Sequence, residues 1–180
     1  MSVFTAIQRP ALENFLISFE LGRLHSFRGI TEGTENSNFF VSLDAGEYVL
    51  TLVERGEHAD LPFTVSLLEQ LHKAGLPVPF AIRNRQGQAI LQLAGKPALL
   101  QPRLSGKHIL QPNAHHCAEV GKILARMHLA TRERLIEHLS DRGLPWMLEQ
   151  GVELASRLSE SGMQLLNDTL EDVQALQPFW

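Results

Sequence analysis

The sequence predicts an α+β fold, with a β-rich part up to about Leu104 and a helical part from Ser105 onward. Two patterns carry that reading. In "NFFVSLDAGEYVLTLVE", Phe39, Val41 and Leu43 alternate with Phe40 and Ser42, Asp44-Ala45-Gly46 supplies a turn, and residues 47–53 return with β-branched and aromatic side chains. After Asn113, in contrast, Cys117, Val120, Ile123, Leu124 and Met127 recur at the spacing of a helix. The division falls near residues 104 and 105, giving parts 1–104 and 105–180.

The elements follow in order. Residues 10–20 place Leu12, Phe15, Leu16 and Phe19 on one helical face, with Pro10 acceptable in the first turn. A strand is expected over residues 21–30, followed by the polar stretch "TEGTENSN" and the hairpin. A single helix opens near Asp60-Leu61-Pro62 and places Phe63, Leu67, Leu68 and Leu71 on one face, with Gly75 at its left-handed stop. "LPVP" forces extended chain. A meander is expected next: "FAIRN", a turn at Gln86-Gly87, "QAILQL", a turn at Gly95-Lys96, and "PALLQPRL". Asn113 caps a helix running to about Thr131. Residues 146–176 are helical with polar interruptions.

Composition narrows the function. The 180 residues carry a net charge of −4, and their Lys and Arg residues are scattered. Nucleic-acid binding needs a concentrated basic face, so that class is excluded. Cys117 is the one cysteine, which rules out an internal disulfide or a thiolate metal cluster and fits a reducing compartment. "MSVFTAIQRP" has neither the basic nor the apolar region of a signal peptide, and no apolar run has the length of a membrane span. A cytoplasmic location is expected.

Four words carry a family resemblance: "GTENSNFFVSLDAGEYVLTLVER", "LHKAGLPVPFAIRNRQG", "LAGKPALLQPRLSGK" and "GKILARMHLATR". Their order and spacing resemble the aminoglycoside-phosphotransferase-like kinases, which share the protein-kinase fold. Within that group, "ENSNFFVSL" and "AGKPALLQPRL" are similar to the bacterial homoserine kinase branch. The resemblance implies a protein-kinase-like small lobe, a five-stranded antiparallel sheet plus one helix, followed by the first helices of a helical large lobe. It also implies ATP and Mg²⁺ as cofactors and L-homoserine as acceptor. Another small alcohol or an aminoglycoside stays open as acceptor, and so does a non-catalytic nucleotide-binding module.

On this resemblance, Gly33, Thr34, Glu35, Asn36, Ser37, Asn38 and Phe39 form the loop over the ATP phosphates. Backbone amides in a tight turn make an anion-binding concavity, to which Thr34, Asn36, Ser37 and Asn38 could add side-chain donors, with Glu35 pointing away. Without the resemblance the same residues read as a polar hairpin turn. Thr51 stands where protein kinases carry a strand Lys, and Thr64 is aligned with the helix Glu that would pair with it. Both partners of that ion pair are absent together; Arg55, Arg83 and Arg103 are candidates for replacing the positive charge. The backbone of Gln101, Pro102 and Arg103 would meet the adenine edge, with Leu99 and Leu104 as apolar cover. Pro102 can only accept there.

Two further words are set aside. "HADL", residues 58–61, imitates a catalytic-loop motif, but Val65 stands where its Asn would be, so Asp60 reads as a cap or first-turn acid. His115, His116 and His128 lack a metal-ligand spacing. No catalytic carboxylate and no magnesium ligand is assigned within residues 1–180. Both are expected further along the chain of a whole family member, of which this sequence reads as the N-terminal portion.

Overall fold

The computed structural model describes residues 3–32, 35–54, 60–132 and 143–175. These fall into two compact units, residues 1–135 and 136–180.

The first unit is organised by its sheet. Helix α1 (Arg9–Leu16) starts with Pro10 in its first turn and runs into a 3₁₀ turn (Ile17–Phe19), ending at Glu20 in the left-handed region. The expected strand over 21–30 begins later, as β1 (Leu24–Gly29). Gly22, at φ +83°, makes a bend before it that a side chain would strain. The hairpin forms as expected from β2 (Ser37–Leu43) and β3 (Gly46–Leu52), paired in register from Ser37 opposite Leu52 to Leu43 opposite Gly46. Helix α2 (Leu61–Lys73) follows, and Gly75 takes φ +75° where the stop was expected. Asp60 stands at the position preceding its first turn but makes no side-chain capping bond.

The meander is shorter than the pattern suggests. "FAIRN" is not a strand, and "QAILQL" contributes only β4 (Leu91–Leu93). The reason is local chemistry: Asn84 Oδ1 accepts the amides of Gln86 and Gln88, at 3.0 and 2.8 Å, and builds a side-chain turn in place of a ladder. Strand β5 (Lys96–Pro102) completes an antiparallel sheet of order β1-β2-β3-β5-β4.

The two faces of this sheet are covered differently. Phe39, Val41, Leu43, Tyr48, Leu50, Leu52, Ala98 and Leu100 point to one face and pack with Leu12, Phe15, Leu16 and Phe19 into the main core. The other face receives Val65 of α2 on Leu99, with Ala81 and Ala89. Only the end of that face near β4 is covered in this way.

Helix α3 (Ala114–Thr131) opens on a reciprocal cap. Asn113 Oδ1 accepts the His116 amide at 3.2 Å while His116 Nδ1 accepts the Asn113 amide at 3.0 Å. Gln70 of α2 donates to the Ala130 carbonyl at 2.6 Å, and Arg126 donates to the Gly75 carbonyl at 3.0 Å. The helix buries none of its residues fully, and Val120 and Leu124 are 59% and 48% exposed. In the second unit the helical stretch expected over 146–176 divides into α4 (Leu144–Ala155) and α5 (Glu160–Ala175). Their contact runs through buried Gly151, where a Cβ would overlap Leu170. Among the described residues no helix is long and apolar enough to cross a membrane.

Candidate functional site

Strand alternation assigns each candidate residue to a face. Asn38, Phe40, Val49, Thr51 and Gln101 share the face opposite the main core, because each is offset by one from a core residue. Phe39 goes the other way. Its side chain is 4% exposed and lies in the main core, so the ring available on the candidate face is that of Phe40. Counting by two from Asn38 would have found it.

A polar row crosses three strands on this face. Thr51 Oγ1 donates to Asn38 Oδ1 at 2.7 Å and lies 3.4 Å from Gln101 Oε1; the single hydroxyl hydrogen serves the shorter contact. Gln101 Nε2 donates to the Pro79 carbonyl at 2.6 Å, which ties β5 to the extended "LPVP" segment. Thr64, aligned with the kinase Glu, is exposed and bonds back to the Asp60 carbonyl. Val65 is the α2 residue that reaches Leu99, the strand partner of Thr51. On the alignment that the resemblance implies, the place of the usual ion pair holds a threonine beside an apolar contact, and among the described residues there no buried charge lacks its partner.

Of Arg83 and Arg103, the two described residues among the three arginines considered as substitutes, Arg103 is the one placed on this face. Its guanidinium lies over the Phe40 ring at 4.3 Å from the centroid, with that of Arg28 over the same ring at 4.8 Å. These residues, with Ser42 and Glu47, line a pocket of about 230 Å³. Arg83 is held elsewhere, by Glu69 and the Gly87 carbonyl, each at 2.7 Å. Arg55 lies outside the described residues.

At the end of β5, Pro102 pairs opposite Tyr48, and the Arg103 amide donates to the Glu47 carbonyl at 3.0 Å. That amide is already engaged. Leu104 follows at 46% exposure.

At the other end of the hairpin, Gly33 and Thr34 lie outside the described residues and Glu35 is exposed. Asn36 Oδ1 accepts the Glu54 amide at 3.3 Å, and the Asn36 carbonyl accepts from Asn38 Nδ2 at 3.4 Å. Ser37, expected as a side-chain donor toward phosphate, is fully buried on the back face and donates to Glu54 Oε1 at 2.6 Å. Sequence reasoning had no signal for Glu54, a residue following a strand whose partners come from distant segments. Burial pushes its carboxyl up, but hydrogen bonds from Ser37, Thr5 and Lys96 outweigh that and hold it below the usual range.

A model of the phosphotransferase enzyme family matches residues 26–180, which include every element from β2 onward. The chain belongs to this family. Among curated relatives of this phosphotransferase chain, homoserine kinase of Pseudomonas aeruginosa (strain LESB58) is 62% identical over 176 residues, covering 98% of this chain and 56% of that protein. Homoserine kinase of Paraburkholderia phymatum is 41% identical over 175 residues, covering 97% of this chain and 54% of that protein. The chain thus spans about half the length of these curated relatives.

Solved structures agree on the fold. An amicoumacin kinase in complex with AMP-PNP, Ca²⁺ and Ami matches with TM-score 0.64 at 16% identity, over 94% of this chain and 53% of that one. A spectinomycin phosphotransferase in complex with ADP and spectinomycin matches with TM-score 0.54 at 16% identity, over 96% and 56%. The phosphotransferase assignment accounts for a five-stranded antiparallel sheet with helices after it.

Proposed function

We propose that this chain is the nucleotide-holding portion of an ATP-dependent homoserine kinase. The complete enzyme would transfer the γ-phosphoryl group of ATP to the side-chain hydroxyl of L-homoserine, in threonine biosynthesis in the cytoplasm. The observation that carries this reading is the 62% identity to a homoserine kinase, sustained over 176 residues. In it, residues 1–104 form the small lobe over ATP and residues 105–180 begin the helical lobe.

The arrangement of the sheet supports a nucleotide under the face bearing Asn38, Phe40, Thr51 and Gln101. Phosphoryl transfer asks a protein mainly for positioning and for dispersal of charge. Residues 33–38, with Asn38 fixed by Thr51, would cover the phosphates. Phe40 and Arg103 would lie against the adenine ring, and the Pro102 carbonyl would accept from its amino group. With the Arg103 amide engaged by Glu47, the donor to the adenine edge falls to the Leu104 amide. Magnesium bridges nucleotide phosphates in kinase chemistry. Among the described residues no group of three carboxylate, imidazole or thiolate side chains could hold a metal. In this reading the ion's ligands, with the catalytic carboxylate, belong to the remaining length of a complete family member.

The test is ADP release by the full-length chain with L-homoserine, L-serine and an aminoglycoside as acceptors. Turnover strongly favouring L-homoserine is the expected result; preference for another acceptor, or none, would overturn the reading. Residues 1–180 alone are expected to bind ATP without turnover, and substantial ADP release by that pure chain would refute the placement of the catalytic carboxylate.

A further inference from the structure

The hairpin β1–β2 opens at its nucleotide end. Gly29 pairs with Phe39, the Ile30 amide donates to the Asn38 carbonyl at 2.8 Å, and the ladder between the two strands ends at that bond. A loop leaving a two-strand root is held only as well as the root. Here the root is gripped from behind by the first residues of the chain. The amides of Phe4 and Thr5 donate to Ser37 Oγ at 2.8 and 3.0 Å, and Ser37 Oγ donates to Glu54 Oε1 at 2.6 Å. The hydroxyl therefore uses its hydrogen and accepts two more.

Glu54 extends the grip. Its side chain is 6% exposed, its other oxygen meets Lys96 Nζ at 3.1 Å, and its amide donates to Asn36 Oδ1 at 3.3 Å. Val3 packs on Gly29 so closely that a Cβ there would lie 2.7 Å from Val3 Cγ2. The N-terminal segment, both sides of the loop, the end of β3 and the start of β5 thus meet around one buried hydroxyl and one buried carboxylate.

Ser37 and Asn38 are neighbours on a strand, so their side chains point to opposite faces. Locking Ser37 from behind fixes the tilt at which Asn38, and the loop before it, face the nucleotide.

We propose that residues 3–5, Ser37 and Glu54 form a clamp that positions the phosphate-covering loop, with Glu54 as its positioning residue. This rests on the reading of residues 33–38 as phosphate cover. The clamp touches no part of the nucleotide itself. Its loss should weaken what the loop holds, the phosphates, and spare what the end of β5 holds, the base.

The experiment compares ATP and adenosine affinities by calorimetry in the full-length chain, for the wild type, Glu54→Gln, and a deletion of residues 1–5. The deletion leaves the Glu54–Lys96 pair in place and carries the same test if Glu54→Gln does not fold. Asp44→Ala, at the far end of the same hairpin, is the control. Both clamp variants are expected to lose about tenfold in ATP affinity, the worth of one or two hydrogen bonds, with adenosine affinity unchanged. The control should change neither. Equal losses for ATP and adenosine would mean a merely structural role and overturn the clamp, as would unchanged ATP affinity in variants of a wild type that binds ATP. A wild type that binds no nucleotide would instead overturn the functional reading on which the clamp rests.

Discussion

Thr51 and Asn38 sit directly opposite each other on β3 and β2, joined by a 2.7 Å bond from the threonine hydroxyl to the asparagine side-chain oxygen Oδ1. On the proposed alignment with the strand lysine of protein kinases, this position carries a short neutral donor whose reach ends at the next strand. Thr51 can orient Asn38; it cannot cross a cleft to a phosphate. Thr51→Val and Asn38→Ala should each lower ATP affinity several-fold, and the double variant should lose little more than Asn38→Ala alone. A double-mutant cycle by calorimetry is expected to show coupling of about 1 kcal/mol, and additive losses would refute the orienting role.

Adjacent phenylalanines should behave in opposite ways. Phe39 is packed in the main core, so Phe39→Ala is expected to cost about 3–5 kcal/mol of stability in denaturant titration. Phe40 lies under two guanidinium groups on the candidate face. Phe40→Ala should leave the chain folded and lower adenosine affinity about tenfold, the value of a lost ring contact of 1–1.5 kcal/mol. The reverse pattern would mean that the faces have been exchanged.

Glu69 offers a pH test of the α2 surface. Hydrogen bonds from Arg83 and Lys73 hold its carboxyl at about 2, below its ordinary value of 4.5. A carboxyl lowered on folding stabilises the native state when ionised, so its contribution is complete above about pH 4.5. It is lost as pH falls from there toward 2. The stability gap between wild type and Glu69→Gln should be largest near neutrality and close across that window. It should also narrow with added salt, since Arg83 and Lys73 are 47% and 72% exposed. A gap independent of pH would show that packing, not charge, sets it.

The turn between β4 and β5 contains a strained residue. Leu93 pairs with Lys96, leaving Ala94 and Gly95 as its two-residue loop at φ +52° and +75°. That geometry favours Asn-Gly or Gly-Gly, and an alanine in the left-handed region costs about 1–2 kcal/mol. Part of this returns as chain entropy, so Ala94→Gly should raise stability by about 0.5–1 kcal/mol in thermal unfolding. No change, or a loss, would contradict the turn assignment.

Where periodicity was unbroken, the sequence was legible. The hairpin, α2 and the Asn113 cap could be read because alternation, a 3.6-residue repeat and a capping side chain are local signals. "FAIRN" misled because its alternation is real, but the Asn84 side chain diverts the backbone, which no hydrophobic pattern reports. Within the candidate site, the choice between Phe39 and Phe40 was accessible by counting along β2. Ser37 was not. Its partners lie 32 and 33 residues away in the N-terminal segment and 17 residues away at Glu54, and only the folded chain brings them together.

The contact of Val3 with Gly29 bears on how the protein should be handled at the bench. Val3 lies against Gly29 at the open end of the β1–β2 hairpin, within a residue or two of the amides that hold Ser37. A purification tag joined close to Val3 would act on the same clamp that is proposed to position the phosphate-covering loop. Kinetic constants from N-terminally tagged protein should therefore be repeated after tag removal, or with the tag moved to the C-terminus of the full-length chain.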